Sequence, residues 1–308
     1  MALLSFDALF READAARARI TVAVAGAADR TVLEALSDAH SRGWIEPRLC
    51  GPRVPTETLA AECRIDVSKW AIVDSEEPAV AAVAEVRAGR AQVLMKGQID
   101  TPALMKAVLN AATGLRTGKT LCQVVAMEVR LPGAGAETRN FLLSDTGVTI
   151  APTLEQKVDI LESLILVARS LGCAEPRVAL MAASEKVNPA LPDTVDSATL
   201  ARRNAAGEFT GAVVQGPLSF DLAFASDAGE KKRIAGGVVG AADAMLFPDL
   251  LSANLTVKAI MYTADCRFGG VVCGAACPIV FMSRADTTAT RLNSLALASR
   301  VVAAAPHQ

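Results

Sequence analysis

Ser283, Arg284 and Asp286 put a hydroxyl, a guanidinium and a carboxylate within four residues, directly after the apolar run CPIVFM. A helix cap explains a serine or an aspartate at such a place, because a short oxygen-bearing side chain accepts from the first free amides of a helix. It does not explain the arginine between them. A guanidinium offers a planar fork of donors that matches a tetrahedral oxyanion, and the amino end of a helix adds partial positive charge. The triplet therefore reads as an anion site with a carboxylate beside it, and these three residues are the catalytic candidates.

The same theme recurs at the ends of other apolar runs. Lys96 closes AQVLMKG, where a long cationic side chain points into any cleft at that edge. Asp100 or Thr101 then fits a helix cap, with Pro102 at the favoured first helical position. Ser144 and Asp145 close NFLLSDTG. Ser184, Glu185, Lys186 and Asn188 follow RVALMAA, and VVQGPLSFDLAFA carries Gln215, Gly216, Pro217 and Asp221. Taken singly, such groups cap the next helix more often than they bind a ligand. Gathered on one sheet edge they would line a polar cleft. On that basis Lys96, Ser144, Asp145, Ser184, Asn188, Gly216, Pro217 and Asp221 are substrate-binding candidates.

The segment GLRTGKT (Gly114 to Thr120) is close to a phosphate-cradling loop but has three residues between its glycines where that loop needs four. It also follows a helical segment and precedes a strand, the reverse of what the loop requires. Arg116 and Lys119 remain a small basic cluster able to meet an anion, and they join the substrate-binding candidates. The chain has two histidines, His40 on a helical segment and His307 next to last, so acid-base work falls to Asp, Glu, Lys or Cys. Its seven cysteines form no CxxC pair, which points to free thiols and away from zinc. No metal or permanently bound cofactor is expected.

These residues need a frame. From RITVAVAG onward, short β-rich runs alternate with helix-length segments, the pattern of a mostly parallel sheet flanked by helices. In open sheets of that kind ligands bind at the carboxyl ends of the strands. VAVAGAADRTVLEAL reads as an ordinary strand-turn-helix unit, capped by Asp29 or Thr31, without the three-glycine dinucleotide fingerprint. Leu154, Val158, Leu161, Ile165 and Ala168 recur at helical spacing and predict a helix over 153–171. RLPGAGAETRN, between two strand-like runs, reads as a hairpin tip and a domain change. The expected division is 1–130 with 271–308 in one α/β domain and 131–270 in a second. With half its residues apolar, a net charge of −2, no basic block and no membrane-length run, the chain reads as a globular cytoplasmic protein. Its partners are small molecules, not nucleic acid or membrane.

Six segments in series carry a resemblance: LMKGQIDTPALMKAVLN, GLRTGKT, ALMAASEKVNPALPDTVDSATL, GAVVQGPLSFDLAFA, DAMLFPDLLSANLTVKAI and PIVFMSRADTTATRLNSLALA. Together, over about 91–298, they resemble the phosphate acetyltransferase and phosphate butyryltransferase family. The resemblance implies reversible transfer of an acetyl or butyryl group between coenzyme A and inorganic phosphate, without metal. It implies two mostly parallel α/β domains with an interdomain cleft, like isocitrate and isopropylmalate dehydrogenases, and a homodimer or higher homo-oligomer. The family's Ser-Arg pair falls on Ser283 and Arg284. Acetyltransferases carry a catalytic Asp six residues beyond that arginine, where this chain has Thr290. The butyryltransferase branch reads Ser-Arg-Ala-Asp, as here, which makes Asp286 the substitute base. Butyryltransferase-like sequences often have a histidine at the place of Asp100. Similar domains also occur as non-catalytic acyl-CoA sensors, the alternative to an enzyme.

Overall fold

The protein is described here by a computed structural model covering residues 2–131, 137–281, 283 and 286–304. It divides into two compact units. One joins Phe6–Lys119 to Gly269–Gln308, and the other joins Met1–Ser5 to Thr120–Phe268.

The first stretch contains α1 (Phe6–Ala15), β1 (Ile20–Ala25), α2 (Arg30–Ser41), β2 (Ile45–Gly51), α3 (Arg53–Glu62), β3 (Ala71–Asp74), α4 (Pro78–Arg87), β4 (Val93–Lys96) and α5 (Thr101–Val108). The middle of the chain contains β5 (Cys122–Arg130), β6 (Thr138–Ser144), α6 (Leu154–Ser170), β7 (Arg177–Met181), α7 (Pro192–Ala205), β8 (Val213–Leu218), α8 (Phe220–Phe224), α9 (Ala228–Lys232), β9 (Ala244–Leu246) and α10 (Leu250–Thr263). β10 (Cys266–Cys273), β11 (Ile279–Val280) and α11 (Thr288–Ala304) complete it.

In the first unit the strands run β3-β2-β1-β4-β11, all parallel, with β10 antiparallel to β11 through Val272 and Ile279. β1 and β4 are buried almost throughout, as strands covered on both faces must be. α11 packs on α1, α2 and β11, and is buried nearly all round, from Thr290 to Ala298 without interruption. In the second unit β6, β9, β7 and β8 are parallel in that order, and β5 pairs antiparallel with β6. Met127, Phe141, Leu143, Leu222 and Met245 fill its core.

The α/β class and the expected parallel strands are present, and the helix predicted over 153–171 is α6. Thr153 and Gln156 cap it reciprocally, the threonine hydroxyl accepting from the Gln156 amide and the Gln156 side chain accepting from the Thr153 amide. β10 was not foreseen, because the two glycines in CRFGGVVC interrupt its apolar pattern. The compact units divide at 119/120, ahead of β5. β5 is hydrogen-bonded to β6 from Val125 to Arg130, and the two strands of a hairpin stay together. Residues 132–136 of the expected hairpin tip lie outside the described residues. No described helix is long and apolar enough to cross a membrane.

Candidate active site

Three adjacent strands of the first unit, β1, β4 and β11, end on one edge, and the chain leaves each of them into a helix that starts there. Lys96 pairs with Ala25 at the end of β1, and Val280 pairs with Met95, so Ser283 stands just beyond the same edge. The amino ends of α2, α5 and α11 therefore collect at this edge, each with partial positive charge. Lys96 is 3% exposed, with its ammonium near the Gly97 carbonyl at 3.4 Å. The backbone is drawn tight here: the amide of Gln98 donates to the Gly26 carbonyl at 2.7 Å, and a Cβ on Gly97 would lie 2.0 Å from that oxygen. Only glycine fits. Asp29 caps α2 by accepting from the Val32 amide at 3.0 Å, and the Thr31 hydroxyl donates to it at 2.7 Å. Asp100 precedes α5 without a side-chain cap bond.

Ser283 and Asp286 are bonded to each other. The Ser283 amide donates to Asp286 Oδ2 at 2.6 Å, and the Asp286 amide donates to the Ser283 carbonyl at 3.2 Å. Thr287 caps α11, its hydroxyl accepting from the Thr290 amide at 3.2 Å. Ser283 is exposed and Asp286 half-buried. Arg284 lies outside the described residues. Thr290 is buried, its hydroxyl 3.0 Å from that of Thr287.

In the second unit the polar candidates fall on the carboxyl edge of β6, β9, β7 and β8. The peptides Ser144–Asp145 and Gly216–Pro217 are cis. Asp145 is 2% exposed and works as a loop organiser: its carboxylate accepts from the amides of Gln123, Gly147, Val148 and Thr149 at 2.6 to 3.2 Å. Burial pushes its pKa up, against the pull of these four amides. Ser144 is fully buried, and its hydroxyl has no partner among the described residues. Ser184 accepts from the Lys186 amide, and Asn188 accepts from that of Ala190, so both close turns. Gly216 passes so close to β7 that a Cβ would lie 2.5 Å from that of Leu180. Asp221 meets Ser219 at 2.6 Å and Lys232 at 3.0 Å, and Lys232 also reaches Glu185 at 2.5 Å. These partners hold the Asp221 carboxyl below its usual range, Ser219 first and Lys232 second.

Residues 75–299 match the family described as Phosphate acetyl/butaryl transferase. The chain belongs to that family. It is 37% identical over 283 residues to phosphate butyryltransferase of Clostridium acetobutylicum, covering 91% of this chain and 92% of that one. It is 38% identical over 297 residues to phosphate acetyltransferase of Rhizobium meliloti, covering 96% and 92%. The crystal structure of a branched-chain phosphotransacylase from Enterococcus faecalis superposes with a TM-score of 0.78 at 30% identity, over 92% of this chain and 99% of that one.

Within this phosphate acyltransferase frame, Lys96, Ser283 and Asp286 share one edge, but Arg116 does not join them. Its backbone bridges Ala275, in the turn that connects the end of β10 to the start of β11, at the opposite end of the first unit's strands from Ser283. The Thr117 hydroxyl donates to the Gly274 carbonyl at 2.6 Å, which fixes GLRTG there, with Lys119 following at the unit's end. α5 carries the chain from one edge of the sheet to the other before Arg116 is reached. His40 faces the Ile45 carbonyl, Glu46 and the Trp70 ring, a packing role, and His307 lies outside the described residues.

Sequence reasoning passed over Arg291, Lys232 and Gln123. The first had a signal, a charged residue inside a run of small and apolar ones; the others sit in unpatterned stretches. It also passed over a groove of about 800 Å³ between α4 and α5, floored by Val83, Ile99 and Ala107 and rimmed by Glu77, Arg87 and Lys106. Alanine-rich helix faces give no pattern from which to read it. Among the described residues no cluster of His, Cys, Asp or Glu is arranged to hold a metal ion.

Proposed function

We infer that the protein transfers a short acyl group between coenzyme A and inorganic phosphate, acyl-CoA plus phosphate giving acyl phosphate plus coenzyme A. The observation that carries this is the family match over 75–299, which takes in Lys96 and the Ser283–Asp286 segment on one strand edge where three helix amino ends meet. Such an edge attracts a multiply charged anion before any side chain is counted.

In the direction of thioester formation, the coenzyme A thiol gives its proton to the Asp286 carboxylate as sulfur attacks the carbonyl carbon of the acyl phosphate. The carbon–oxygen bond to phosphate then breaks, and phosphate leaves as the anion. Arg284 is assigned to that phosphate, with Lys96 and the helix ends countering the charge that builds in the transition state. Ser283 donates a hydrogen bond to the carbonyl oxygen or orients the thiol. Much of the rate comes from holding two substrates in line. A homodimer or higher homo-oligomer in the cytoplasm is the expected working state, and light scattering on the purified protein checks the assembly.

The test is release of free thiol from acetyl-CoA, propionyl-CoA and butyryl-CoA in the presence of phosphate, with wild type and Arg284→Ala. We expect turnover of at least one thioester, a loss of about 100-fold or more in the variant, and its partial recovery at high phosphate. Wild type that binds acyl-CoA but releases no thiol from any of the three would replace the enzyme with the sensing module. Full activity in Arg284→Ala would remove the arginine from the phosphate site.

A further inference from the structure

Arg291 stands on α11 among buried residues, 2% exposed, where its neighbours in sequence are packed against α1, α2 and β11. Its Nε donates to the Thr31 hydroxyl at 2.9 Å, and one terminal nitrogen donates to the Ser283 carbonyl at 3.3 Å. Thr31 in turn donates to Asp29, the cap of α2. The Ser283 carbonyl also accepts from the Asp286 amide, so the guanidinium grips the Ser283–Asp286 turn at the atom that already closes it. We propose that Arg291 is a positioning residue for acyl transfer: it fastens that turn to the first turn of α2 and so sets where the Ser283 hydroxyl and the Asp286 carboxylate stand.

Stability alone does not account for an arginine here. Removing a guanidinium from water is costly, and well-packed apolar side chains in place of buried ionic groups are often neutral or stabilising. Burial pushes the Arg291 pKa down, while Asp29 and Asp286 favour the charged form. The fork geometry is what an apolar residue cannot supply. Two donors at a fixed angle span two elements, a hydroxyl on α2 and a carbonyl before α11, where a lysine ammonium offers only a point charge on a flexible stem. Thr288 makes a second tie of the same kind, its hydroxyl donating to Glu34 of α2 at 2.8 Å.

The inference rests on the catalytic reading of Ser283 and Asp286, and the experiment separates the two. Arg291→Lys, Arg291→Met, Thr31→Val and the Thr31→Val/Arg291→Lys double variant are compared with wild type and Asp286→Asn. Thiol release gives kcat and the KM for acyl-CoA, equilibrium binding gives its Kd, and thermal melting reports the folded fraction. We expect kcat to fall about 10- to 100-fold in both Arg291 variants, the scale of a misplacement of about 1 Å, while acyl-CoA affinity stays within about 3-fold. Thr31→Val falls less, and the double variant falls no further than Arg291→Lys alone, because both break one linkage.

Wild-type kcat in Arg291→Lys, or losses from Thr31→Val and Arg291→Lys that multiply, would overturn the proposal. So would a loss of rate that merely tracks the folded fraction. Should Arg291→Met fail to fold, the lysine and valine variants decide the matter by the same criteria. If Asp286→Asn keeps full kcat, the catalytic reading of Asp286 fails on its own, whatever the Arg291 variants do. If Asp286→Asn is inactive while Arg291→Lys is unimpaired, only the positioning role fails.

Discussion

The base role proposed for Asp286 and its bond to the Ser283 amide can be pulled apart by one substitution. Its Oδ2 accepts the Ser283 amide at 2.6 Å and so braces the turn, while proton transfer needs the carboxylate's charge and basicity. Asparagine keeps an acceptor oxygen and loses the base. Asp286→Asn should therefore melt like wild type yet lose about 100- to 10,000-fold in kcat. Asp286→Ala removes the brace as well and should also lower the melting temperature. An Asp286→Asn protein with unaltered turnover would leave Asp286 as a brace alone. Thr290 supplies the contrast, for it occupies the place where acetyltransferases carry their aspartate. Its buried hydroxyl is engaged by Thr287, and no carboxylate stands there. Thr290→Val should cost about 1 kcal/mol of stability, read from urea unfolding, and leave kcat unchanged.

At the scale of elements, the strand ends were legible because short apolar runs stop abruptly in Lys, Ser, Asp or Gly. What each polar group does there was not. Asp145 looks in the sequence like a ligand group at the end of β6, and nothing in the pattern tells that its carboxylate accepts from four backbone amides that shape residues 145–149. The cap of α11 was not legible for a related reason. Ser283, Asp286 and Thr287 all have capping oxygens, and only the path of the turn decides that Thr287 meets the Thr290 amide. Arg116 shows the limit of adjacency in sequence, since it follows Lys96 closely along the chain yet belongs to the opposite end of the sheet. Asp145→Asn tests the organising role directly. Its oxygen can keep the three amides now shared by Oδ1, but its NH2 then faces the Thr149 amide, donor against donor. We expect a loss of about 1 to 3 kcal/mol in urea unfolding, whereas unchanged stability would show that the loop holds without this carboxylate.

At the scale of the whole chain, the alternation of runs revealed the α/β class, but the return of Gly269–Gln308 to the unit of Phe6–Lys119 leaves no periodic trace. α11 is buried on every side over Thr290–Ala298, so it has no polar stripe from which its neighbours could be read. Elsewhere in that unit a charge is buried for stability, and its effect extends to the pH dependence of the whole fold. Glu85 on α4 is 5% exposed and bonds Arg90 at 2.7 Å and Arg48 of β2 at 2.6 Å. The bond to Arg90, then that to Arg48, holds its carboxyl below the usual glutamate range despite burial. A carboxyl whose pKa is lower folded than unfolded adds stability above its unfolded pKa and loses it as pH falls through the folded one. The melting temperature should therefore decline as pH drops below about 4.3, the ordinary value for glutamate, with Glu85 contributing to the slope. Glu85→Gln should melt lower than wild type at pH 7, since it leaves two guanidinium groups without their counter-charge, and the gap should narrow toward pH 3. Parallel melting curves for the two proteins across that range would mean that the Glu85 pair contributes nothing to acid sensitivity.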